Sequence, residues 1–278
     1  MGIVAAIQMN SSHIVEQNLT AAARLLREAK DAGADVACLP ENFAFMGIRD
    51  ADKRGVAEAD QRGPIQDFLA STSRSLGLWI LAGTIGIKSS EQSRVANASL
   101  LFDAKGRRVS RYDKIHLFDV AIPGRDEEYR ESTHVEPGDS AVVADTPVGK
   151  LGMSVCYDMR FPELYRALST AGAEWFAMPA AFTVPTGRAH WETLLRARAI
   201  ENLCYVVAPA QVGTHSNGRE TYGDSLIADY WGKILARLPQ GEGVITAAID
   251  LAEQRETRER FPALNNRRLK PDAMAVSA

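Results

Sequence analysis

The chain has 278 residues, 46% of them hydrophobic and 24% charged, with a net charge of −3 and a pI near 6.0. That balance suits a globular protein near the upper size for one hydrophobic core, and it gives no electrostatic case for nucleic acid or an anionic membrane. Three scattered cysteines (Cys38, Cys156, Cys204) with no C-x-x-C pair argue against a disulfide framework or a zinc ribbon and for a reducing, cytoplasmic setting.

No apolar run approaches a membrane span, and the N-terminus lacks the basic start of a signal peptide. A β-branched run predicts a first strand over 3–8, and a helix over 16–31 follows, its apolar residues at helical spacing and Gly33 at its end. A strand over 35–39 stops at Pro40. A helix over 65–76 precedes strands at 79–83 and 95–102, and Asp103-Ala104-Lys105-Gly106 turns into a strand over 109–112. Residues 118–139 carry little periodicity, a length of irregular chain that is often functional.

Strands at 142–147 and 150–155 bring the sheet back to Cys156, and helix 163–171 and strand 175–178 follow. Trp191 to Asn202 reads as a helix, with Glu192 and Arg196 at a favourable spacing. Strands over 205–211, 225–229, 234–237 and 243–250 lead to a basic but charge-alternating segment, Arg255 to Arg260, expected to form a solvated helix. Helices and strands mixed along the whole length, with hairpins as well as crossovers, imply a layered α/β sandwich with a mixed sheet. Without repeats or linkers, one domain over 1–278 is expected, its core at about 3–262 and a tail at 263–278.

Cys156 ends an apolar run, and Pro162 opens a helical pattern six residues on. A nucleophile on such a strand-to-helix turn projects from the sheet edge with backbone N–H groups beside it, as acyl transfer needs. A small buried hydrophobe is the competing reading. The thiol needs a base, yet none of the five histidines (His13, His116, His134, His190, His215) forms a local signature with a cysteine. Two other residues stand out. Glu41 follows Cys38-Leu39-Pro40 at a strand's C-terminal end, where sites of open α/β sheets collect. Lys114 lies among apolar and aromatic neighbours where a strand meets the irregular segment. Judged singly, each also suits a loop or surface role.

Leu39-Pro40-Glu41-Asn42, Tyr112-Asp113-Lys114-Ile115-His116-Leu117-Phe118-Asp119 and Val155-Cys156-Tyr157-Asp158-Met159-Arg160-Phe161-Pro162-Glu163 together resemble the three signature segments of the nitrilase, or carbon–nitrogen hydrolase, superfamily. The resemblance runs from Ile3 to about Pro262. It implies a four-layer α-β-β-α sandwich and a Glu41-Lys114-Cys156 catalytic set that needs no metal or cofactor. It also implies amide hydrolysis through a thioester, Lys114 and the Tyr157 N–H as oxyanion donors, and a homodimer. A second family glutamate matches Glu131, with Glu127 and Glu128 as neighbours in the same loop. Arg160 and Thr186 are implied to bind a substrate carboxylate, with Phe182 lining the pocket.

The stretch from Ala181 to Glu201 is similar to the Nit branch of small ω-amide hydrolases, which release a carboxylate and ammonia. Ala210 to His215 with Arg219 and Tyr222-Gly223 resembles the deaminated-glutathione amidases of that branch more than its 2-oxoglutaramate ω-amidases. A nitrile hydrolase with the same three residues, and a non-catalytic binding protein on the same scaffold, are the competing functions.

Overall fold

The computed structural model describes residues 1–89, 91, 93–122, 127–268 and 276–277. Of the expected tail, residues 269–275 and 278 lie outside the described residues, as do 123–126 in the irregular segment. Two mixed sheets face each other. In the first, the order runs Gly243–Ile249, Gly2–Gln8, Val36–Cys38, Trp79–Leu81, Val95–Phe102 and Ile85–Lys88. Arg108–Asp113 and Val135–Glu136 also pair with Val95–Phe102. The second runs Ile234–Leu238, Ser225–Ala228, Tyr205–Ala208, Trp175–Ala177, Gly149–Met153 and Ala141–Thr146, with Val276–Ser277 at its edge.

The alternation of buried residues explains the layers. Val4, Ala6, Val36 and Cys38 point into the core shared with the second sheet. Their neighbours Ala5, Ile7, Ala37 and Leu39 pack with Ala22, Leu25, Leu26 and Ala29 of helix Val15–Asp31 and Leu69 of helix Pro64–Leu76. A strand covered on both faces has no polar side to show, so these segments read as continuous apolar runs. Helices Pro162–Thr170 and Val184–Asn202 cover the outer face of the second sheet through Leu164, Leu168, Trp191, Leu195 and Ala199. The result is the helix–sheet–sheet–helix sandwich.

Three differences from the predicted elements have physical causes. The helix expected from Trp191 starts at Val184, because Pro185 sits in the first turn, where no N–H is needed. Within that helix Gly187 is no breaker; any Cβ there would strike the Tyr222 ring. The strand expected over 205–211 ends at Ala208, ahead of Pro209, and a separate hairpin, Val212–Thr214 with Glu220–Tyr222, takes over. Strand Ile85–Lys88, interrupted by Gly86, was not anticipated. The expected charge-alternating helix exists as Leu251–Arg260, but one side of it is engaged. Gln254 is buried, Arg255 binds Glu174 at 2.7 Å, and Arg258 donates to the Leu203 carbonyl at 3.0 Å.

Candidate active site

The chain turns sharply at Cys156. Strand Gly149–Met153 ends, a short 3₁₀ turn covers Cys156–Arg160, and Pro162 opens the next helix. Cys156 has φ of 49°, a left-handed backbone that a residue with a Cβ adopts only under constraint. The constraint is visible in the bonds around it. The Cys156 N–H donates to the Pro179 carbonyl at 2.9 Å, and the fully buried Asp158 carboxylate accepts the Val155 N–H at 2.8 Å. The Tyr157 N–H has no acceptor among the described residues. It is a backbone donor beside the thiol that a ligand can use.

Glu41 comes from the first sheet. After strand Val36–Cys38, Leu39 and Pro40 cross Gly83, whose left-handed φ and missing side chain allow the Pro40 carbonyl to lie against it. The Glu41 carboxylate is then 3% exposed. Its Oε1 accepts from Lys114 Nζ at 2.9 Å and from Asn97 Nδ2 at 3.2 Å, and its Oε2 accepts from the Ala181 N–H at 3.0 Å. Lys114 follows strand Arg108–Asp113 and is held at both ends of its peptide, by the Asn97 carbonyl and the Gly138 N–H. Its ammonium also meets Glu131, at 2.8 Å to Oε2 and 3.1 Å to Oε1.

Of the three candidate loop glutamates, Glu131 is the one that reaches Lys114. Glu128 is exposed and pairs with Arg130 at 2.7 Å, and Glu127 accepts from the Tyr129 hydroxyl at 3.2 Å. Glu131 is fixed in turn by the Phe118 N–H at 2.7 Å.

Burial opposes the Lys114 charge, but Glu131 and then Glu41 outweigh it, and the ammonium is held well above its ordinary pKa. Burial likewise opposes ionisation of Glu131, and Lys114 overturns it, so this carboxyl is held below the usual range. The thiol behaves differently. Burial first, and the adjacent Glu41 carboxylate next, push the Cys156 pKa far up, with Lys114 pulling the other way. Burial and Glu41 thus both favour the neutral thiol over the thiolate beside Glu41. Such a pair is suited to proton removal in concert with attack.

These four side chains share one cavity with Tyr157, Phe182 and Thr186. Phe182 packs on Trp191 with ring centroids 5.1 Å apart, and the Thr186 hydroxyl is engaged with that of Thr183 at 2.8 Å. Arg160 lies outside the cavity lining. Its guanidinium sits 5.3 Å from the Phe182 centroid and 5.7 Å from that of Tyr157, and its Nη1 is 3.3 Å from His190 Nδ1. Among the described residues no group of three His, Cys, Asp or Glu side chains is placed to hold a metal ion, and no helix is long and apolar enough to cross a membrane.

Sequence reasoning missed two residues that shape the site. Asn97 is buried and bonds Glu41, with a longer contact of 3.4 Å to Glu131. Its signal was available: a single amide inside the apolar strand Val95–Phe102. Asp158 ties the lysine segment to the cysteine turn. Besides Val155 it accepts the Tyr112 hydroxyl at 2.7 Å, the His116 N–H at 3.0 Å and His116 Nδ1 at 2.7 Å. Nothing local in the sequence announces that cross-chain role.

Comparison with known proteins agrees with this architecture. The carbon-nitrogen hydrolase family matches residues 3–259. A deaminated glutathione amidase from Yersinia enterocolitica is 42% identical over 266 residues, covering 95% of this chain and 92% of the relative. The Homo sapiens protein of the same name is 42% identical over 270 residues, 96% of this chain and 82% of the relative. Among solved structures, the C. elegans NitFhit protein superposes with a TM-score of 0.88 at 37% identity; 96% of this chain is covered, which spans 65% of the NitFhit chain. Saccharomyces cerevisiae Nit3, described as a member of branch 10 of the nitrilase superfamily, gives a TM-score of 0.86 at 29% identity, with 96% and 97% coverage. With a matching fold, a matching family over nearly all its length and relatives above 40% identity, the chain belongs to the carbon–nitrogen hydrolase family.

Proposed function

We propose that this protein hydrolyses a small ω-amide, with deaminated glutathione as first substrate, through a thioester on Cys156. The observation that carries this reading is the convergence of Glu41, Lys114 and the Cys156 thiol in one buried cavity, from separate segments of both sheets. Relatives of this length and identity bear the name deaminated glutathione amidase, which favours that substrate over 2-oxoglutaramate-type acids.

In the proposed reaction, Cys156 Sγ attacks the amide carbon while Glu41 takes the thiol proton. The C=O electron pair moves onto oxygen, and the oxyanion is held by the Tyr157 N–H and by the Lys114 ammonium. Its three N–H groups meet three carboxylate oxygens, and the oxyanion would take over the longest of these contacts, the one at 3.1 Å to Glu131 Oε1. Removing one such donor commonly costs about 10²–10³ in rate. The intermediate collapses as the C–N bond breaks, and Glu41 returns the proton to the departing nitrogen. Glu41 then activates water to cleave the thioester, releasing the acid and restoring the thiol. Glu131 holds Lys114 in place and exchanges no proton.

The leaving group corrects the simple expectation of ammonia. A primary amide releases ammonia, whereas the ω-amide nitrogen of deaminated glutathione belongs to cysteinylglycine, so that dipeptide departs instead. Incubation with deaminated glutathione should release cysteinylglycine, and quenched mass spectrometry should find the acyl group on Cys156. Native turnover by Cys156→Ala would end the proposal. Turnover of a nitrile but not of any amide would favour the nitrile hydrolase instead.

Two coarser features belong to the same reading. A homodimer is supported by exposed Ile200, Trp231 and Phe261, which lie close together, the last two with rings 5.4 Å apart. A sedimentation profile showing only monomer at micromolar concentration would exclude it. A cytoplasmic location is supported by three free thiols, and cell fractionation tests it.

A further inference from the structure

One wall of the cavity carries a guanidinium that has no anion. Arg219 lies at the end of the turn joining strands Val212–Thr214 and Glu220–Tyr222. Its Nη2 donates to the Ala181 carbonyl at 2.7 Å, and its guanidinium carbon lies 5.2 Å from the centroid of the Tyr129 ring. Its Nε is buried without any acceptor, and among the described residues no carboxylate pairs with it. A buried N–H left unmade is unfavourable, and a cation in a partly dry site is more so. Arg219 nevertheless lines the cavity, where its guanidinium can meet an acceptor that the protein does not supply.

Its position is built, not incidental. The Arg219 N–H donates to Asn217 Oδ1 at 2.9 Å, and its carbonyl accepts the His215 N–H at 2.9 Å. Asn217 Nδ2 reaches the Gly47 carbonyl at 2.8 Å. The buried His215 ring bridges the Ser11 carbonyl at 2.8 Å and the Thr221 hydroxyl at 2.7 Å. The turn is thus fastened to the N-terminal segments of the first sheet.

Arg219 also marks a boundary. It lines the cavity that holds Cys156 and, with Tyr129, Asp50 and Thr183, an adjoining outer cavity of about 430 Å³. The inner cavity is far smaller, about 50 Å³. Lys53, also on the inner lining, helps hold Glu131 ionised. Arg160, the residue that family resemblance puts forward as the carboxylate ligand, stands outside on two aromatic rings.

We propose that Arg219 is the specificity residue of this site: it binds a carboxylate of the substrate at the neck between the two cavities and so selects amides of acids over neutral amides. The inference rests on the amide-hydrolase reading above. Guanidinium suits the role because its paired N–H groups match the two oxygens of a carboxylate, which an ammonium does not. The substrate carboxylate has two sources, the oxo-acid half and the glycine end of the leaving dipeptide.

The test compares wild type, Arg219→Met and Arg219→Lys on four amides: deaminated glutathione, its glycine carboxamide, 2-oxoglutaramate and the neutral 4-oxopentanamide. In Arg219→Met the ratio of kcat/KM between acid and neutral substrates should fall about 10–100-fold, mainly through KM, with Arg219→Lys between the two. Loss between 2-oxoglutaramate and 4-oxopentanamide places the contact on the acyl half; loss between deaminated glutathione and its carboxamide places it on the leaving half. An unchanged ratio, whether all substrates fall together or none does, overturns the proposal.

A second arm needs no turnover. Calorimetric binding of 2-oxoglutarate and of S-methyl-cysteinylglycine is measured on Cys156→Ala with and without Arg219→Met. If wild type cleaves no amide, the functional reading fails, yet weaker binding of either acid to the double variant still upholds Arg219. Equal binding of both acids by the two variants overturns it.

Discussion

On the floor of the cavity Lys114 lies between two carboxylates, at 2.9 Å from Glu41 and 2.8 Å from Glu131, whereas at its neck Arg219 faces a tyrosine ring and, among the described residues, forms no ion pair with a carboxylate. The floor is a closed set. Every charge on it has a partner from another segment, and Asn97, Ala181 N–H and Phe118 N–H take up further oxygen positions. The neck is an open set, fastened by backbone contacts but with donor capacity left over. A closed set suits chemistry that is the same for every substrate, because its geometry must not change as ligands come and go. An open set suits selection, since the ligand itself supplies the missing partner.

The comparison breaks most visibly at the nucleophile. Cys156→Ala should lower kcat/KM by about 10⁴–10⁶, the scale at which deleting a covalent nucleophile acts, while the melting temperature stays near wild type because the change removes one atom. An activity loss below tenfold would mean that the floor is not where the chemistry happens.

The next effect is on stability. Lys114→Met leaves Glu41 and Glu131 buried and facing each other without a cation, which should cost about 3–5 kcal/mol in chemical denaturation. Adding Glu131→Gln should recover part of it. If Lys114→Met costs less than about 1 kcal/mol, the floor is not the closed charge set described here. At the neck, the corresponding deletion should behave oppositely. Arg219→Met is expected to leave stability within about 1 kcal/mol, since the bond lost to the Ala181 carbonyl is offset by removal of the orphaned Nε donor, and to change substrate preference about 10–100-fold.

The smallest effect concerns the fastening of the neck. His215 is buried, and its Nδ1 faces a carbonyl oxygen, so that nitrogen carries the proton and Nε2 accepts from Thr221. Burial holds its pKa below the ordinary 6.5. The unfolded chain therefore takes up a proton first on acidification, and stability is lost as pH falls from about 6.5 through the folded-state pKa. Relative to His215→Gln, wild type should lose stability between neutral and mildly acid pH. Parallel pH profiles for the two proteins would count against this anchoring.

How legible each region was follows the same division. The strands of both sheets and most helices were readable, because burial on both faces or on one helical stripe leaves a periodic apolar pattern. Glu41, Lys114 and Cys156 were suspicious individually, as polar groups closing apolar runs, and only their joint resemblance to one family brought them together. The neck resisted reading. Hairpin Val212–Thr214 with Glu220–Tyr222 is short, and its strands show no alternation long enough to register. Arg219 and Arg160 both appeared only as part of a resemblance, Arg160 as the implied carboxylate ligand. Asp158 stood only as one member of the cysteine segment, although it joins Tyr112 and His116 to the cysteine turn.

The amino-acid sequence by itself determined the layers of this protein and the chemical types on its floor, since periodicity and residue identity are local properties that a chain carries wherever it goes. Which glutamate meets Lys114, which arginine looks into the cavity and which lies outside it were decided by the tertiary structure alone. Those outcomes depend on groups from separate segments meeting within hydrogen-bond distance, whether 17 residues apart, as Lys114 and Glu131 are, or 140 apart, as the Ala181 N–H and the Glu41 carboxylate are at 3.0 Å. No local pattern encodes such a distance. It is set when the two sheets close on their shared core.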